Sequence, residues 1–174
     1  MKKVLILSII FVLLLIAFII VTHDISLLSI STKKYDIHYP IVWGCRFDND
    51  SNKLILHDRF DIPYTKIKIL DFNNADLSQT NLDDYDAYAE AIMNRYKKIT
   101  TSLGKEAFKG HELLIFKGII NNKDYFGHEL KDSQFLSYGI IYFNDERLKA
   151  IYTYKTEEQR EEIQAILNTI KFKE

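Results

Sequence analysis

The feature that most constrains this chain is an apolar run near its N-terminus, residues 4–21, which only Ser8 interrupts. As an α-helix, this run would be about 27 Å long, close to the thickness of the hydrocarbon core of a bilayer. It has no polar face of the kind that a helix on the surface of a globular domain requires. The run therefore predicts a transmembrane helix, and we assign residues 1–22 as an N-terminal membrane anchor.

The anchor is expected to be retained after export. Its apolar core is longer than the roughly 7–15 residues of a signal peptide, and no A-x-A-like cleavage site follows it closely. The nearest candidate site, residues 29–31, lies well beyond the run. Lys2 and Lys3 precede the run and favour a cytoplasmic N-terminus. We therefore predict a single-pass protein of the bacterial inner (plasma) membrane whose C-terminal domain is extracytoplasmic, in the periplasm.

The rest of the chain has the size and composition of one folded domain. Hydrophobic residues make up 47% of the sequence and aromatic residues 13%, which is enough to fill a core. We assign residues 23–34 as a connector and residues 35–174 as the domain. Without Lys2 and Lys3 the chain carries 21 basic and 24 acidic residues. Nucleic acid is therefore not an expected partner, because binding it requires a concentrated basic surface.

Alternation of apolar and polar residues predicts strands in the first half of the domain. Residues 35–39 alternate with period two, as a half-buried strand does, and Pro40 limits the extension of this strand. The polar cluster at residues 48–52 is typical of a turn between two short strands. Residues 66–69 alternate again. These elements predict the beginning of an antiparallel sheet.

The second half of the domain combines helices and strands. From residue 81 the apolar spacing changes to three and four, which predicts a long amphipathic helix ending near Gly104. Thr156 and Gln159 form a capping-box pattern at the start of a second helix. Apolar runs predict further strands at residues 108–120, 135–143, 148–154 and 171–173, with a polar loop at 121–133. The order predicts an α+β fold in which an antiparallel sheet of about six strands is flanked by helices.

Three short patterns carry a family resemblance: Tyr39-Pro40 at the end of the first strand, Trp43 shortly after it, and Ile170-Lys171-Phe172 after the closing helix. Together with the order of elements, they resemble the PsbP and Mog1-like superfamily over residues 35–172. The resemblance implies an α-β-α sandwich without a catalytic site, in which the domain acts as a binding or accessory module. The oxygen-evolving role of plant members is not implied, because the chain shows no transit peptide.

The best match to a metal-binding motif is incomplete. Asp48, Asp50 and Asn52 occupy alternate positions of a calcium-loop pattern, which would present oxygen atoms to a hard cation. Lys53 stands where the loop needs glycine, and Arg59 stands where the bidentate glutamate belongs. The segment is therefore interpreted as a polar turn, and neither a metal nor another cofactor is predicted.

Catalytic motifs are missing from the sequence as well. The five histidines, His23, His38, His57, His111 and His128, show no i, i+4 pair, and neither G-x-S-x-G nor a glycine-rich phosphate loop occurs. Cys45 is the only cysteine, which excludes an internal disulfide. Because no basic partner stands near it in the sequence, Cys45 is interpreted as a small buried hydrophobe rather than a nucleophile. We therefore expect no enzymatic activity.

The leading hypothesis is a non-enzymatic, membrane-anchored domain that binds a protein partner outside the cytoplasm. Its candidate contacts are aromatic side chains of the later strands: Tyr138, Tyr142, Tyr152 and Tyr154. The alternative role for these tyrosines is packing within the sheet. A specific version of the hypothesis is an immunity protein that neutralises a periplasmic antibacterial toxin, because the anchored domain is small and shows no active site.

A small-ligand receptor or an enzyme is the alternative class of function. Its site would be assembled from side chains that are distant in sequence, and the candidates are His57, Asp61, His111 and Glu112. A closed pocket with converging ionisable groups would favour this class. A filled core with one exposed patch would instead favour a protein partner.

Overall fold

The computed structural model describes residues 27–48, 51–60, 65–72, 84–103, 109–133 and 135–174. The predicted anchor, residues 1–22, lies outside these ranges, as do the first residues of the predicted connector. Within the described ranges, no helix has the length and hydropathy needed to cross a membrane.

The described ranges contain ten strands and two helices. In chain order they are β1 (Leu27–Ser31), β2 (Tyr35–Pro40), β3 (Trp43–Asp48), β4 (Lys53–Asp58), β5 (Lys66–Asp71), α1 (Tyr85–Leu103), β6 (His111–Ile120), β7 (Lys123–Asp132), β8 (Ser137–Phe143), β9 (Leu148–Tyr154), α2 (Glu157–Leu167) and β10 (Lys171–Phe172). Seven strands form one antiparallel sheet in the order β3-β4-β5-β9-β8-β7-β6, and the others form a small antiparallel sheet in the order β1-β2-β10. The predicted mixed α+β fold with antiparallel sheets is confirmed, with more strands than expected.

One additional strand stands where the sequence predicts a loop. The loop prediction for residues 121–133 is wrong, because β7 occupies most of this segment and pairs with β6 along its length. The turn itself consists of Asn121 and Asn122, with φ angles of 47° and 65°, as in a tight two-residue hairpin. The prediction failed because β7 contains many polar residues, which are typical of a loop. One of them, Glu129, is nevertheless fully buried in the sheet.

A second additional strand lies in the predicted connector, residues 23–34. Its residues 27–31 form β1, which pairs with β2 from Leu27 opposite Pro40 to Ser31 opposite Asp36. Most of β1 is exposed. Because no buried face imposes alternation on such a strand, the sequence lacks the period that would have predicted it.

The two helices pack on opposite faces of the seven-stranded sheet. Ile140 and Tyr142 of β8 belong to a cluster with Tyr88 of α1. Ile141 and Phe143 belong to the larger core cluster, which includes residues of α2 and β2. Since successive residues of a strand point to opposite faces, the sheet separates α1 from α2. The face under α1 is the one that carries the candidate site.

Both predicted helices are confirmed, and local signals define their N-terminal ends, whereas the predicted end near Gly104 lies outside the described residues. The Asp84 carboxylate accepts a hydrogen bond of 3.3 Å from the Ala87 backbone amide at the start of α1. At the start of α2 the predicted capping box is present, since the Gln159 amide donates to Thr156 Oγ1 and the Thr156 amide donates to Gln159 Oε1. Such caps satisfy backbone donors that the helix leaves unpaired.

Candidate functional site

The candidate site is a group of cations on the α1 side of the sheet, beyond the area that α1 covers. Helix α1 contacts β6 and β7. On β3, β4, β5 and β9 the alternation of the strands turns five basic side chains to the same side: Arg46, Lys53, Lys66, Lys68 and Lys149. We call this group the basic face. Arg46 and Lys66 are exposed, and the other three are partly exposed.

The strand register brings these cations together. Arg46 lies opposite Ile55, which lies opposite Lys68, so the two cations share one row across the sheet. Lys66 and Lys68 are two residues apart on β5, a spacing of about 7 Å on one face of a strand. Burial lowers the pKa of Lys68, and the neighbouring Lys53, Lys149 and Lys66 lower it further. The positive charges are therefore close enough to act on one another.

Little negative charge balances the basic face within the described ranges. Among the described residues of its four strands, one carboxylate points to this face. It belongs to Asp48, at the end of β3. Asp48 accepts a hydrogen bond of 2.6 Å from Ser51 Oγ. No ion pair between described residues engages Arg46, Lys53 or Lys68. Among the described residues, the face therefore carries more positive than negative charge, and a ligand could neutralise the difference.

Apolar side chains lie between the cations. Ile55, Leu70 and Ile151 point to the same side and are half-buried. Tyr138 of β8 lies in the row of Lys66 and Thr153, and its side chain is 37% exposed. Basic, aliphatic and aromatic groups on one surface are a combination typical of protein interfaces.

Tyr138 borders helix α1. Burial raises the pKa of its hydroxyl, and the nearby cation Arg95 of α1 partly offsets this effect. Of the four tyrosines that the sequence singles out as partner contacts, Tyr138 is the one that reaches the surface. It marks the edge of the basic face.

The other three candidate tyrosines pack inside the domain. Tyr142, Tyr152 and Tyr154 are only 6%, 1% and 2% exposed. The Tyr142 ring meets the ring of Phe72 edge to face at 5.8 Å. The alternative role, packing within the sheet, accounts for the positions of these three side chains, and a direct contact with a partner is available to Tyr138 alone among the four.

A buried ion pair on the opposite face of the sheet was not foreseen from the sequence. Glu129 is fully buried; it accepts a bifurcated hydrogen bond from Arg160 Nε, at 3.0 Å to each carboxylate oxygen, and one of 2.6 Å from the Tyr152 hydroxyl. Arg160 also donates to Glu157 at 2.6 Å. These contacts satisfy the carboxylate and connect α2 to the sheet, which is a structural role.

A groove on the α2 side of the sheet has a mixed apolar and polar lining. Its volume is about 390 Å³, it lies between β6 and α2, and its lining includes Phe116, Tyr125, Lys117, Gln164 and Arg160. The lining contains no carboxylate and no imidazole. Proton transfer in an active site is most often performed by those groups, so this groove offers no obvious catalytic pair.

The residues of the alternative site do not converge. His57 lies on β4 and His111 on β6, which are the second and the seventh strand of the sheet. At about 4.8 Å per strand, the two histidines are about 24 Å apart. His111 Nε2 lies 3.2 Å from Asp132 Oδ2, Glu112 is exposed on the edge strand, and Asp61 lies outside the described residues.

The segment with the calcium-loop pattern forms polar contacts of its own. Asn52 has a φ of 46° and donates a hydrogen bond of 3.1 Å to Asp71 on β5, while Asp50 lies outside the described residues. Across the described ranges, no cluster of three or more His, Cys, Asp or Glu side chains could hold a metal ion.

Cys45 packs against the larger core cluster and is half-buried. Burial raises the pKa of its thiol, and a hydrogen bond with Tyr39 only partly reverses this effect. A raised pKa keeps the sulfur in the thiol form, which is a poor nucleophile. This environment agrees with the interpretation of Cys45 as a packing residue.

The comparisons with known proteins find structural likeness without a sequence match. No protein-family model matches the sequence, and no curated protein matches it. The chain is similar in structure to the solution structure of cyanobacterial PsbP (CyanoP) from Synechocystis sp. PCC 6803, with 9% sequence identity and a TM-score of 0.44, over 85% of this chain and 93% of that one.

Proposed function

We propose that this chain is a non-enzymatic, membrane-anchored extracytoplasmic domain of the PsbP and Mog1-like kind, which binds a protein partner through the basic face. The observation that carries the proposal is the group of five cations on four neighbouring strands, with Tyr138 at its border. A partner of matching chemistry presents carboxylates around an apolar centre.

The two kinds of group on this surface have different roles in binding. An exposed ion pair contributes only about 0.2–1 kcal/mol, so the cations mainly accelerate and orient the encounter with an acidic partner. The surface that loses its water on binding would come from Ile55, Ile151 and Tyr138. Burial of this surface would contribute most of the affinity. This division predicts that salt weakens the complex chiefly by slowing association.

A protein fits the basic face better than nucleic acid does. Aliphatic side chains alternate with its cations, and they would face the phosphate backbone without a favourable contact. The exported part of the chain is slightly acidic as a whole, so its long-range field does not attract a polyanion. The predicted extracytoplasmic location argues in the same direction.

The enzyme alternative receives no support from the candidate residues, because His57 and His111 lie on distant strands. The immunity-protein hypothesis is a special case of the proposal, in which the acidic partner would be a toxin. It predicts that cells lacking the protein die when the toxin reaches the periplasm, and that the chain restores survival only with an intact basic face.

Cross-linking in living cells tests the proposal. A photo-reactive amino acid in place of Tyr138 should capture one partner, which mass spectrometry identifies. The variant Lys66→Glu/Lys68→Glu should reduce this capture, since the reversed charges should weaken binding about tenfold or more. Lys171→Glu is the matched control, because Lys171 is exposed on β10 of the small sheet.

The amount of captured partner in the three chains decides whether the basic face is the binding surface. Loss of capture in the double variant, with capture intact in the control, supports the basic face as the binding surface. Equal capture in all three chains would rule out this surface. Unchanged melting temperatures of the variants would show that the substitutions act on binding and not on folding.

A further inference from the structure

Exposed hydrophobic side chains gather at one end of the domain. Five of them belong to three neighbouring segments, and their exposed fractions are 60% for Leu27, 38% for Leu28, 49% for Ile41, 43% for Val42 and 86% for Phe60. We call these five residues the apolar end. Large apolar side chains that cluster on a surface mark an interaction site more often than single ones do.

The backbone brings these segments together. Leu27 at the start of β1 lies opposite Pro40 at the end of β2, and the turn of Ile41 and Val42 follows Pro40 directly. The Arg59 amide donates a hydrogen bond of 3.4 Å to the Val42 carbonyl, and Phe60 is the next residue. The three segments that carry the apolar end are therefore neighbours in the backbone.

The same end of the main sheet carries further groups suited to a membrane surface. Phe135, which precedes the start of β8, is 75% exposed. Arg59, which follows the end of β4, is an exposed cation. Aromatic and basic residues around an apolar centre are the groups that proteins place at the level of the lipid headgroups.

The chain enters the domain at this end. The described residues begin with Leu27, a member of the apolar end, and the predicted membrane helix ends at residue 21. The five residues 22–26 can span at most about 20 Å even when fully extended. If the anchor holds the chain in a bilayer, the apolar end cannot move far from the surface of that bilayer.

We infer that the apolar end rests in the interface of the membrane that holds the anchor, with Phe60, Ile41 and Leu27 below the headgroups and Arg59 beside the lipid phosphates. This inference depends on the anchoring part of the proposed function, and it does not depend on the protein partner. Contact with lipid would fix the orientation of the domain relative to the membrane.

Fluorescence quenching by lipids tests this contact in the full chain. Phe60→Trp places a probe in the apolar end, and Ile119→Trp places a matched probe at the far end of β6, where Ile119 is 69% exposed. The native Trp43 is fully buried and gives a constant background. The chains are reconstituted in vesicles of phosphatidylethanolamine and phosphatidylglycerol, with or without lipids brominated along the acyl chains.

Brominated lipids should quench the probe of Phe60→Trp at least about twofold more than that of Ile119→Trp, because interfacial side chains reach about 5–10 Å into the headgroup and acyl boundary. Equal quenching of the two probes in a chain that resists carbonate extraction would overturn the inference and leave the anchor intact. Release of the chain by carbonate would overturn the anchor and the inference together.

One further outcome and one substitute probe complete the test. A probe at position 60 that is shielded from acrylamide but not quenched by brominated lipid would place a protein, such as a second copy of the chain, on the apolar end, and this would refute the lipid contact. Ile41→Trp provides a second probe of the same surface if circular dichroism shows that Phe60→Trp disturbs the fold. Quenching of Ile41→Trp should match that of Phe60→Trp.

Discussion

Acidification should destabilise the domain through His128, which lies under helix α1. Its Nδ1 atom is 2.7 Å from the Tyr88 hydroxyl, and the two rings are 6.2 Å apart. Burial lowers the pKa of His128 from 6.5 to about 4, and Arg95 contributes to the same shift. Ile115 and Ile140 lie on either side of His128 in the sheet, and this burial together with the Arg95 cation favours the neutral imidazole.

The sign and the size of the effect follow from these two pKa values. At neutral pH the imidazole is uncharged in both the folded and the unfolded chain, so His128 brings no penalty. As the pH falls below 6.5, the unfolded chain binds a proton that the folded chain does not bind until about pH 4. The stability present above pH 6.5 is lost across this window, up to about 3 kcal/mol.

Denaturation in urea at several pH values between neutrality and pH 4, with the chain in a non-ionic detergent, measures this loss. His128→Gln is the control, because glutamine does not titrate and its side-chain oxygen can still accept a hydrogen bond from Tyr88. Subtracting the variant's stability curve from that of the native chain removes the contributions of all other groups. A difference that stays constant with pH, or an imidazole that titrates near 6.5 in NMR spectra of the folded chain, would refute the reasoning.

Three further predictions concern the fold. Arg160→Met should lower the free energy of unfolding by about 3–5 kcal/mol in a urea titration, because it leaves Glu129 buried without its cation. Thr156→Ala should cost about 1 kcal/mol by the same measurement, since it removes the cap of α2. A fragment without residues 1–22 should be soluble and folded, with dispersed NMR signals, because the described residues of the domain form two hydrophobic core clusters among themselves.

The sequence predicts best those elements that local signals specify. Helix α2 is an example, because Thr156 and Gln159 stand three residues apart and both contacts of the capping box form within one turn. Strand β7 shows the opposite case. Its Glu129 is buried only because Arg160 meets it from 31 residues further along the chain. The residues near Glu129 in the sequence do not indicate that Arg160 will pair with it. From the sequence alone, Glu129 is therefore interpreted as an exposed loop residue.

The candidate site could be predicted only in part for a similar reason. Tyr138 and Tyr152 both belong to apolar runs, but Tyr138 lies on the α1 side near an open border while Tyr152 points to the α2 side. Both faces of the sheet are partly covered, so alternation alone does not tell which residue reaches solvent. The basic face draws on four strands, and of its members only Lys66 and Lys68 stand near each other in the sequence.

The basic face and the apolar end can be occupied at the same time. Lys66 lies in the row nearest the apolar end, whereas Leu70, in the row of Lys149, lies four residues further along β5. That interval corresponds to about 13 Å along a strand, so a membrane that contacts Phe60 cannot also reach the far cations. The far part of the basic face is therefore left to a soluble acidic partner. Lys53→Glu/Lys149→Glu should accordingly weaken capture at position 138 without changing the lipid quenching of Phe60→Trp, and an equal loss of both signals would contradict this separation.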